Sequence, residues 1–367
     1  MTQQIRIVAV GDLAPLRSIV DCDSKVNQIW ENFIDADVTI GNLEIALTES
    51  SVRADKVITL KADPDIAFSL ARGGFNIVSV ANNHAMDFGS QGLYDTLKAL
   101  KKANIEAVGG GVDLDAALEP VIQNIKGTKI AHFGLCSTLP AGFSAAPGRP
   151  GVAPVRARSR FYIDTVTLDE QPGISPWVET SLVEGDLAFV CKKITEVKEK
   201  ADFVIINIHW GIPHGWCALF QGPLADYQKP LAHGLIDAGA DLILGHHPHV
   251  IHGVEQYKGG IIAYSLGNFL FHSMSEGHVT KLSTTYPPYN VDSLEQGEAR
   301  EAVIMEASIE AGTMKQLKFY PIAFNKRGEP TYLLEEAAIK VLHRLQNHST
   351  ALGSKIGIDD HVGFLEI

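Results

Sequence analysis

Cysteine is scarce in this chain. Its 367 residues include four cysteines, Cys22, Cys136, Cys191 and Cys217, and no two of them form a CxxC pair. Isolated cysteines of this kind indicate a reducing compartment and argue against a disulfide framework. The sequence also lacks a long apolar run, and its start, MTQQIRIVAVGDLAP, has no signal-peptide pattern. We therefore expect a cytoplasmic protein with no membrane partner.

Positive charge is also in short supply. The chain has 31 basic residues against 43 acidic ones, which makes a net charge of -12. A nucleic-acid-binding protein usually presents a basic face, so this balance argues against a nucleic-acid partner. The sequence has no P-loop, no GxSxG elbow and no HExxH motif. The glycines Gly109–Gly111 do not form a GxGxxG pattern followed by a helix, as a dinucleotide-binding fingerprint would. These four common types of site are therefore not indicated.

Apolar residues, by contrast, make up 46% of the chain, which is enough for a sizeable core. Short β-branched runs predict buried strands, and leucines at helical spacing between them, as at Leu93, Leu97 and Leu100, predict helices. The alternation of the two patterns predicts an α/β fold with much parallel sheet. The predicted strands are Ile5–Val10, Val38–Ile40, Ile77–Val80, Ile130–Leu135, Phe203–Ile208, Leu242–Leu244 and Ile261–Tyr264.

The pattern divides the chain into a large domain at 1–330 and a C-terminal helical extension at 331–367. Residues 140–176 are rich in proline, glycine, arginine and serine, which predicts a long loop excursion within the domain. A second polar stretch covers 272–296. An amphipathic helix is predicted over Thr331–Leu345, with Leu334, Ala338, Val341 and Leu345 on the face that packs against the domain.

Residue types that bind metals follow the predicted strands directly. In open α/β sheets the carboxyl ends of the strands share one edge, and ligands bind there. Polar groups that follow six different strands should therefore converge in space. The residues are Asp12, Asn42, Glu44, Asn82, Asn83, His84, Asp87, His209, His246, His247, His249 and Asn268.

The composition of this set suits a hydrolytic site that holds Zn, Mn or Fe. Two adjacent ions could share one carboxylate and activate a water molecule between them. A lone histidine near a strand end is more often structural, and a GD or GN pair is usually a turn. The segment GHHPH is more specific, because three histidines in four positions have few packing reasons. The sequence therefore predicts one or two divalent metal ions per chain.

Six blocks of sequence resemble, in order and spacing, the signature blocks of CapA-type poly-γ-glutamate capsule proteins, which are similar to calcineurin-like metallophosphoesterases. They are GDLAPLR, GNLE, VANNHAMDFG, IHWG, LAHGLIDAGADLILGHHPHV and YSLGNFLF, and they extend from Val8 to Phe271. The resemblance implies an α/β/β/α sandwich of two mixed sheets flanked by helices, with metal ions at one edge.

The resemblance also implies roles for individual residues. Asp12 and His249 would bind a first metal ion, and Asn83, His209 and His247 a second. Glu44, with Asn42, occupies the place of the bridging carboxylate. His84 would protonate the leaving group, and His246 would lie in an outer shell or a turn. The superfamily's DxH block has Ala14 in place of its histidine here, so one usual ligand is missing.

The function that these patterns favour is metal-dependent hydrolysis of a small anionic substrate. The bond would be a phosphoester by analogy with the superfamily, or a γ-glutamyl-type amide by resemblance to CapA. We predict that Arg17 assists catalysis and that Arg156, Trp210 and Asn268 contact the substrate. An alternative is a non-catalytic binding or assembly subunit for synthesis of poly-γ-glutamate or a related polymer, which Ala14 favours and the remaining ligands oppose. Self-association into a homo-oligomer is compatible with either function.

Overall fold

The computed structural model describes residues 3–367 except 21, 23, 57, 164, 174, 175, 212–223, 273–293 and 295. Cys217 and most of the polar stretch 272–296 therefore lie outside the described residues. In chain order the strands are β1 (Ile5–Ala14), β2 (Val38–Leu43), β3 (Ala46–Leu47), β4 (Lys61–Ala62), β5 (Ile77–Ser79), β6 (Glu106–Val108), β7 (Gly110–Gly111), β8 (Val121–Ile125), β9 (Thr128–Cys136), β10 (Gly151–Val152), β11 (Ala157–Tyr162), β12 (Trp177–Leu182), β13 (Phe203–His209), β14 (Leu242–His246), β15 (Val254–Tyr257), β16 (Gly260–Ala263), β17 (Asn268–Phe271), β18 (Glu301–Glu310), β19 (Thr313–Phe324), β20 (Pro330–Tyr332), β21 (Ile356–Asp359) and β22 (Val362–Leu365). The helices are α1 (Ser24–Ile34), α2 (Ile66–Arg72), α3 (Gly89–Lys102), α4 (Leu114–Ala117), α5 (Thr165–Glu170), α6 (Glu184–Lys198), α7 (Gln228–Asp237) and α8 (Glu335–Thr350).

Two large sheets pack face to face. The first has the order β21-β22-β19-β18-β1-β2-β5-β6, with β17 beside β1 and β20 beside β19, and the second has the order β15-β16-β14-β13-β9-β8. One buried cluster contains side chains of both sheets, such as Ile7 on β1 and Ile205 on β13. Helices α1, α2 and α3 cover the outer face of the first sheet, and α6 and α7 cover that of the second. The predicted sandwich of two mixed sheets flanked by helices is confirmed.

Strand β1 shows why the runs predicted as strands are apolar at successive positions. Ile5 and Ile7 face the second sheet, whereas Val8 and Val10 face the helices, so both sides of the strand are buried. The strand pairs in parallel with β2, and β2 pairs in parallel with β5. Parallel neighbours require crossover connections, here α1 and α2, so all three strands end at the same edge of the sheet.

Two predicted segments differ from the structure. The 140–176 excursion is not a plain loop, because it contains β11 and α5, and β11 pairs with β12 in an antiparallel hairpin. The extension at 331–367 is not wholly helical. Helix α8 begins at Glu335 rather than Thr331, Leu334 is exposed, and β21 and β22 join the first sheet through β19. Alternating apolar residues around the turn at Asp360 explain the strands.

Helix α8 otherwise packs as its spacing predicts. Val341 and Leu345 enter the cluster between the two sheets, and Ala338 is fully buried. Within the described ranges, none of the helices has both the length and the apolar character needed to cross a bilayer.

Stability should depend on pH through His132, which is fully buried on β9. Neither of its ring nitrogens has a hydrogen-bond partner among the described residues. Burial lowers the pKa of His132 from 6.5 to about 3. Between these values the unfolded chain binds a proton that the folded chain excludes, so the free energy of unfolding falls as the pH is lowered through that window. At about pH 5 this one side chain should remove about 2 kcal/mol.

Urea unfolding of wild type and His132→Leu, at neutral pH and at about pH 5, measures this effect. The variant should lose less stability than wild type on acidification, since its side chain takes up no proton. His343→Leu, at an exposed position on α8, is the control and should behave as wild type. Equal acid sensitivity of His132→Leu and wild type would contradict the prediction.

Candidate metal centre

The polar residues predicted at the strand ends meet at one edge of the sandwich. Asp12 on β1 lies in register with Asn42 on β2 and with Asn268 on β17. In the second sheet His209 ends β13, and the neighbouring strand β14 leads directly to His247. The backbone N–H of His247 donates a hydrogen bond of 3.2 Å to Oδ2 of Asp12, which joins the edges of the two sheets. The predicted convergence of the strand ends is confirmed.

Two groups of potential metal ligands share one carboxylate. Glu44, His209 and His247 form one group and Asp12, Glu44 and His249 form the other, and within each group the ligand atoms lie within 4.8 Å of one another. Oε1 of Glu44 lies 3.5 Å from Nε2 of His209 and 3.9 Å from Nε2 of His249. Each group offers imidazole and carboxylate ligands, which suit a divalent cation of the Zn, Mn or Fe type. Glu44 therefore occupies the position expected of a bridging ligand.

Glu44 provides the electrostatic test of this interpretation. Neither of its carboxylate oxygens has a hydrogen-bond partner in the described part of the chain. Burial, and then the neighbouring Asp12, raise the pKa of the Glu44 carboxyl well above its ordinary value. A buried carboxylate without donors is unfavourable unless a cation compensates its charge. The residues present therefore fit a divalent metal ion.

Burial favours the neutral form of two histidines of the site, His209 and His247. Burial, with smaller effects from His249, His84 and Lys56, lowers the pKa of His247 to about 3. Burial and the neighbouring histidines lower the pKa of His209 well below its ordinary value. A neutral imidazole keeps the lone pair that a metal ligand must donate. Both rings therefore remain available as ligands in mildly acidic solution.

Asn83 adds an oxygen ligand to the group of Glu44, His209 and His247. Its Oδ1 lies 2.8 Å from Nε2 of His209. Two ligand atoms bound at right angles to one ion would be about 3 Å apart, given bond lengths near 2.1 Å. The position predicted for Asn83 therefore agrees with a shared metal ion.

Asn42 has a different role from the one predicted. Its Nδ2 donates a hydrogen bond of 2.8 Å to Oδ1 of Asp12 and lies 3.2 Å from Nδ1 of His209. Its Oδ1 accepts a hydrogen bond of 3.0 Å from Asn82. Because neighbouring side chains contact both ends of its amide, Asn42 orients Asp12 and His209, and this arrangement gives its predicted role as a metal ligand no support.

Asn268 also orients a potential ligand, and its surroundings give the predicted contact with substrate no support. The side chain is fully buried. Its Oδ1 lies 2.8 Å from Nδ1 of His249, and its Nδ2 donates a hydrogen bond of 3.1 Å to the carbonyl oxygen of Ala299. An acceptor at Nδ1 places the proton there and leaves Nε2, the nitrogen on the side of Glu44, free to bind a metal ion.

Asn268→Ala should weaken metal binding by about 10- to 100-fold, because the ring of His249 loses the acceptor that fixes its orientation. Chelator competition measures the affinity. Asn347→Ala, an exposed asparagine on α8, is the control and should bind metal as wild type does. Wild-type affinity in Asn268→Ala would show that this hydrogen bond does not orient the ligand.

The backbone around the site is held in unusual conformations. His247 and His249 have φ values of 96° and 59°, in the left-handed region that non-glycine residues rarely adopt. Such positions cost about 1–3 kcal/mol each and occur mostly where function requires them. At Gly11 a Cβ atom would lie 1.8 Å from the carbonyl oxygen of Gly267, so only glycine allows β1 to approach β17 and place Asp12.

His84 belongs to a buried hydrogen-bond network beside the ligands. Its Nδ1 lies 2.6 Å from Oδ2 of Asp87, and Nζ of Lys56 lies 2.5 Å from Oδ1 of Asp87. Nζ of Lys56 also donates to the backbone carbonyl of Asn83. Because a carboxylate only accepts hydrogen bonds, Nδ1 of His84 carries a proton and Asp87 leaves Nε2 uncontacted. Burial lowers the pKa of His84, and Asp87 opposes this effect.

Three other predicted site residues, Trp210, Arg156 and Arg17, have structural partners away from the ligand groups. Trp210 is fully buried, stacks on Tyr264 and donates to its carbonyl oxygen, which gives its predicted contact with substrate no support. Arg156 binds Asp186 on α6 through two side-chain hydrogen bonds, which gives its predicted contact with substrate no support either.

Arg17 points toward the turn before β20. Its guanidinium donates to the carbonyl oxygen of Arg327 and lies 3.7 Å from Glu329. This arrangement gives its predicted catalytic role no support.

Three further residues organise the site. The sequence analysis expected Asn82 and Asp87 at the strand ends without individual roles, and it did not identify Lys56. Asn82 donates to Asn42 and to the carbonyl oxygen of Leu43. The HxxD spacing after β5 lets the carboxylate of Asp87 reach the ring of His84. Lys56 comes from an irregular loop and has no sequence signal.

The two-sheet sandwich and the paired ligand groups at its edge define a metallophosphoesterase-like protein. The chain belongs to the PGA_cap family, described as bacterial capsule synthesis protein PGA_cap, whose family model matches residues 6–273. That family is part of the metallophosphoesterase-like superfamily. The resemblance inferred from the six sequence blocks is confirmed.

Three relatives illustrate the match. The chain is 33% identical over 68% of its length to the PGA biosynthesis protein CapA of Bacillus subtilis, and 30% identical over 73% to the capsule biosynthesis protein CapA of Bacillus anthracis. It spans 57% and 60% of those two proteins. It is also 31% identical over 63% of its length to a probable polyglutamine synthesis accessory protein of Mycobacterium tuberculosis, of which it spans 55%.

Proposed function

We propose that the protein is a metal-dependent hydrolase that uses a metal-activated water on a small anionic substrate. The observation that supports this most is Glu44, a buried carboxylate that two ligand groups share and for which the described residues supply no hydrogen-bond donor. A divalent ion bound there would polarise the scissile group and lower the pKa of a water molecule toward neutrality. Mn, Fe and Zn all suit these ligands.

The chain's own residues would supply orientation and proton transfer. Asn42 and Asn268 hold Asp12, His209 and His249 in place. Asp87 holds Nδ1 of His84, so Nε2 is the atom that would carry a proton to the leaving group. The carboxylate of Asp87 also stabilises the charged form of the ring while the proton is there.

The scissile bond has two candidates. A phosphoester is the substrate class suggested by the superfamily, and a γ-glutamyl-type amide is suggested by the names of the capsule biosynthesis relatives. Both contain an electrophilic centre with an oxygen that a cation can polarise. We therefore propose a small substrate with one of these two bonds.

A second candidate function is a non-catalytic binding or assembly subunit for the synthesis of poly-γ-glutamate or a related polymer. Ala14 supports it, because the superfamily places a metal-binding histidine there. The name of the relative from Mycobacterium tuberculosis, an accessory protein, also favours it.

Elemental analysis of protein purified without added metal or chelator, combined with assays on generic phosphoesters and γ-glutamyl amides, tests the proposal. Metal with turnover that a chelator abolishes is the expected result. Metal without turnover of either class would favour the assembly function. Protein that contains no metal and shows no turnover would reject the hydrolase.

A further inference from the structure

The side chain of Lys56 extends from the loop between β3 and β4 to the edge of the metal centre. It is only 17% exposed, so its ammonium group is largely withdrawn from solvent. A cation in such a place is unfavourable unless neighbouring oxygens compensate its lost hydration. The partners of Lys56 therefore show which part of the site its charge supports.

Two oxygens and one aromatic ring surround the ammonium group. Nζ of Lys56 lies 2.5 Å from Oδ1 of Asp87 and donates to the backbone carbonyl oxygen of Asn83. It also lies 5.1 Å from the centre of the Phe143 ring, within the range of a cation–π contact. An ammonium group has three N–H donors, and three contacts of this kind can engage all of them. These contacts direct the donors of Lys56 to the protein itself.

The two oxygens belong to residues that hold functional side chains. Asn83 places its own Oδ1 2.8 Å from Nε2 of His209, and its carbonyl oxygen is the atom that Lys56 holds. Asp87 contacts Nδ1 of His84 through Oδ2, the carboxylate oxygen that Lys56 leaves free. Because the ammonium group joins the two residues, the positions of a candidate ligand and of a candidate proton donor depend on one charge.

Asp87 has further donors that do not depend on the lysine side chain. Burial opposes the charge of Asp87, but His84 and Lys56 outweigh burial and lower the pKa of the carboxyl. The backbone N–H of Leu60 donates to Oδ2 at 2.6 Å, and that of Ala54 donates to the carbonyl oxygen of Asp87 at 2.8 Å. A neutral side chain at position 56 would therefore leave the loop attached through its backbone.

We infer that Lys56 is a positioning residue that fixes Asn83 for metal binding and His84 for proton transfer. Asn83 contacts His209, which belongs to one of the two ligand groups and not to the other. The loss of Lys56 should therefore weaken the binding of one metal ion and spare the other. The part that concerns Asn83 rests on the metal centre alone, whereas the part that concerns His84 rests on the proposed hydrolase.

Titration with Mn²⁺, followed by the electron paramagnetic resonance signal of the free ion, tests the first part without a substrate. Lys56→Met removes the charge, keeps a chain of similar length, and should weaken one Mn²⁺ site about 10- to 100-fold, as substitutions beside metal ligands do. Asn83→Ala should weaken the same site. In the double variant the two losses should not add, because Lys56 acts through the side chain that is already missing.

Lys61→Met is the matched control for this titration. Nζ of Lys61 donates to the carbonyl oxygen of Ser50 at 2.7 Å and lies 5.0 Å from the centre of the Phe88 ring. These contacts are of the same kind as those of Lys56, but in the described part of the chain they include neither Asp87 nor Asn83. The control should bind Mn²⁺ as wild type does.

Lys56→Arg keeps a cation beside Asp87 in a larger head group, so it should fold even where Lys56→Met does not. Its Mn²⁺ affinity should lie below that of wild type and above that of Lys56→Met. Urea unfolding identifies the variants that are folded before they are titrated. Wild-type affinity in either substitution, or additive losses in the double variant, would overturn the positioning of Asn83.

Hydrolysis of p-nitrophenyl phosphate and of γ-glutamyl-p-nitroanilide at saturating Mn²⁺ tests the second part. Lys56→Met should lower kcat at least about tenfold and leave KM unchanged, because His84 acts in the transition state. Wild-type kcat in Lys56→Met would overturn the positioning of His84. Absence of turnover in every protein, together with the expected Mn²⁺ affinities, would reject the hydrolase and the role of His84 and retain Lys56 as a support of Asn83.

Discussion

Glu44→Gln should remove most of the bound metal and lower turnover at least about a hundredfold, because several kcal/mol of transition-state stabilisation depend on the ions. Glu44 belongs to both ligand groups, so the loss of its charge weakens both. The same substitution should stabilise the metal-free protein, by an amount on the order of 1–3 kcal/mol, since a buried carboxylate without donors is replaced by a neutral amide. Glu44→Gln should therefore lower the free energy of unfolding when metal is bound and raise it when metal is removed.

Elemental analysis and urea unfolding, each with and without chelator, measure this reversal without an activity assay. Glu255→Gln is the matched control. Glu255 is also a buried carboxylate, but it has partners in His233, Lys229 and Tyr264. Its substitution should destabilise the protein with or without metal and leave metal content unchanged. Glu44→Gln that keeps its metal, or that destabilises the metal-free protein, would disprove the bridging role.

His84→Asn should lower turnover by about 10²- to 10⁴-fold and leave metal content unchanged, because general acid–base catalysis contributes an effect of that size. Asparagine can keep a hydrogen bond to Asp87, so the network that holds Asn83 through Lys56 should persist. Turnover of the substrate identified in the assays above, together with elemental analysis, checks both parts of the expectation.

His343→Asn, at an exposed position on α8, is the control for this experiment and should match wild type. Full turnover in His84→Asn would remove the residue from the mechanism. Loss of metal in His84→Asn would make it a structural support of the ligands instead of a proton donor. The two results are separable because metal content and turnover are measured on the same samples.

Much of the fold could be predicted from local patterns. The run Ile7–Val10 is buried on both faces, and a strand buried in this way requires apolar residues at successive positions. The hairpin β21–β22 could not be distinguished from a helical tail, because its strands are short and gain stability only by pairing with β19. The hairpin β11–β12 could not be predicted either, because Arg158 and Arg160 make its first strand resemble a polar loop.

The candidate site was predictable where a ligand follows a strand directly. Asp12, His209 and the histidines of GHHPH come at strand ends, and parallel strands bring those ends together whatever else the chain does. Lys56 could not be found in this way, because it reaches Asp87 from an irregular loop. Trp210 follows His209 directly, but successive side chains of an extended chain point to opposite sides. The ring of Trp210 therefore lies in the core and not at the site.

The sequence by itself determined which residue types gather at the edge of the sandwich, since that depends only on strand order and on the residues at the end of each strand. Only the tertiary structure decided which of them can bind a metal ion. Asn42, Asn268 and Asn83 are chemically alike, yet Asn42 contacts Asp12 and Nδ1 of His209, and Asn268 contacts Nδ1 of His249 and a backbone carbonyl. Asn83 instead presents its oxygen to Nε2 of His209, the nitrogen on the side of Glu44. The difference is one of side-chain direction and partners. Both depend on contacts between residues far apart in the chain.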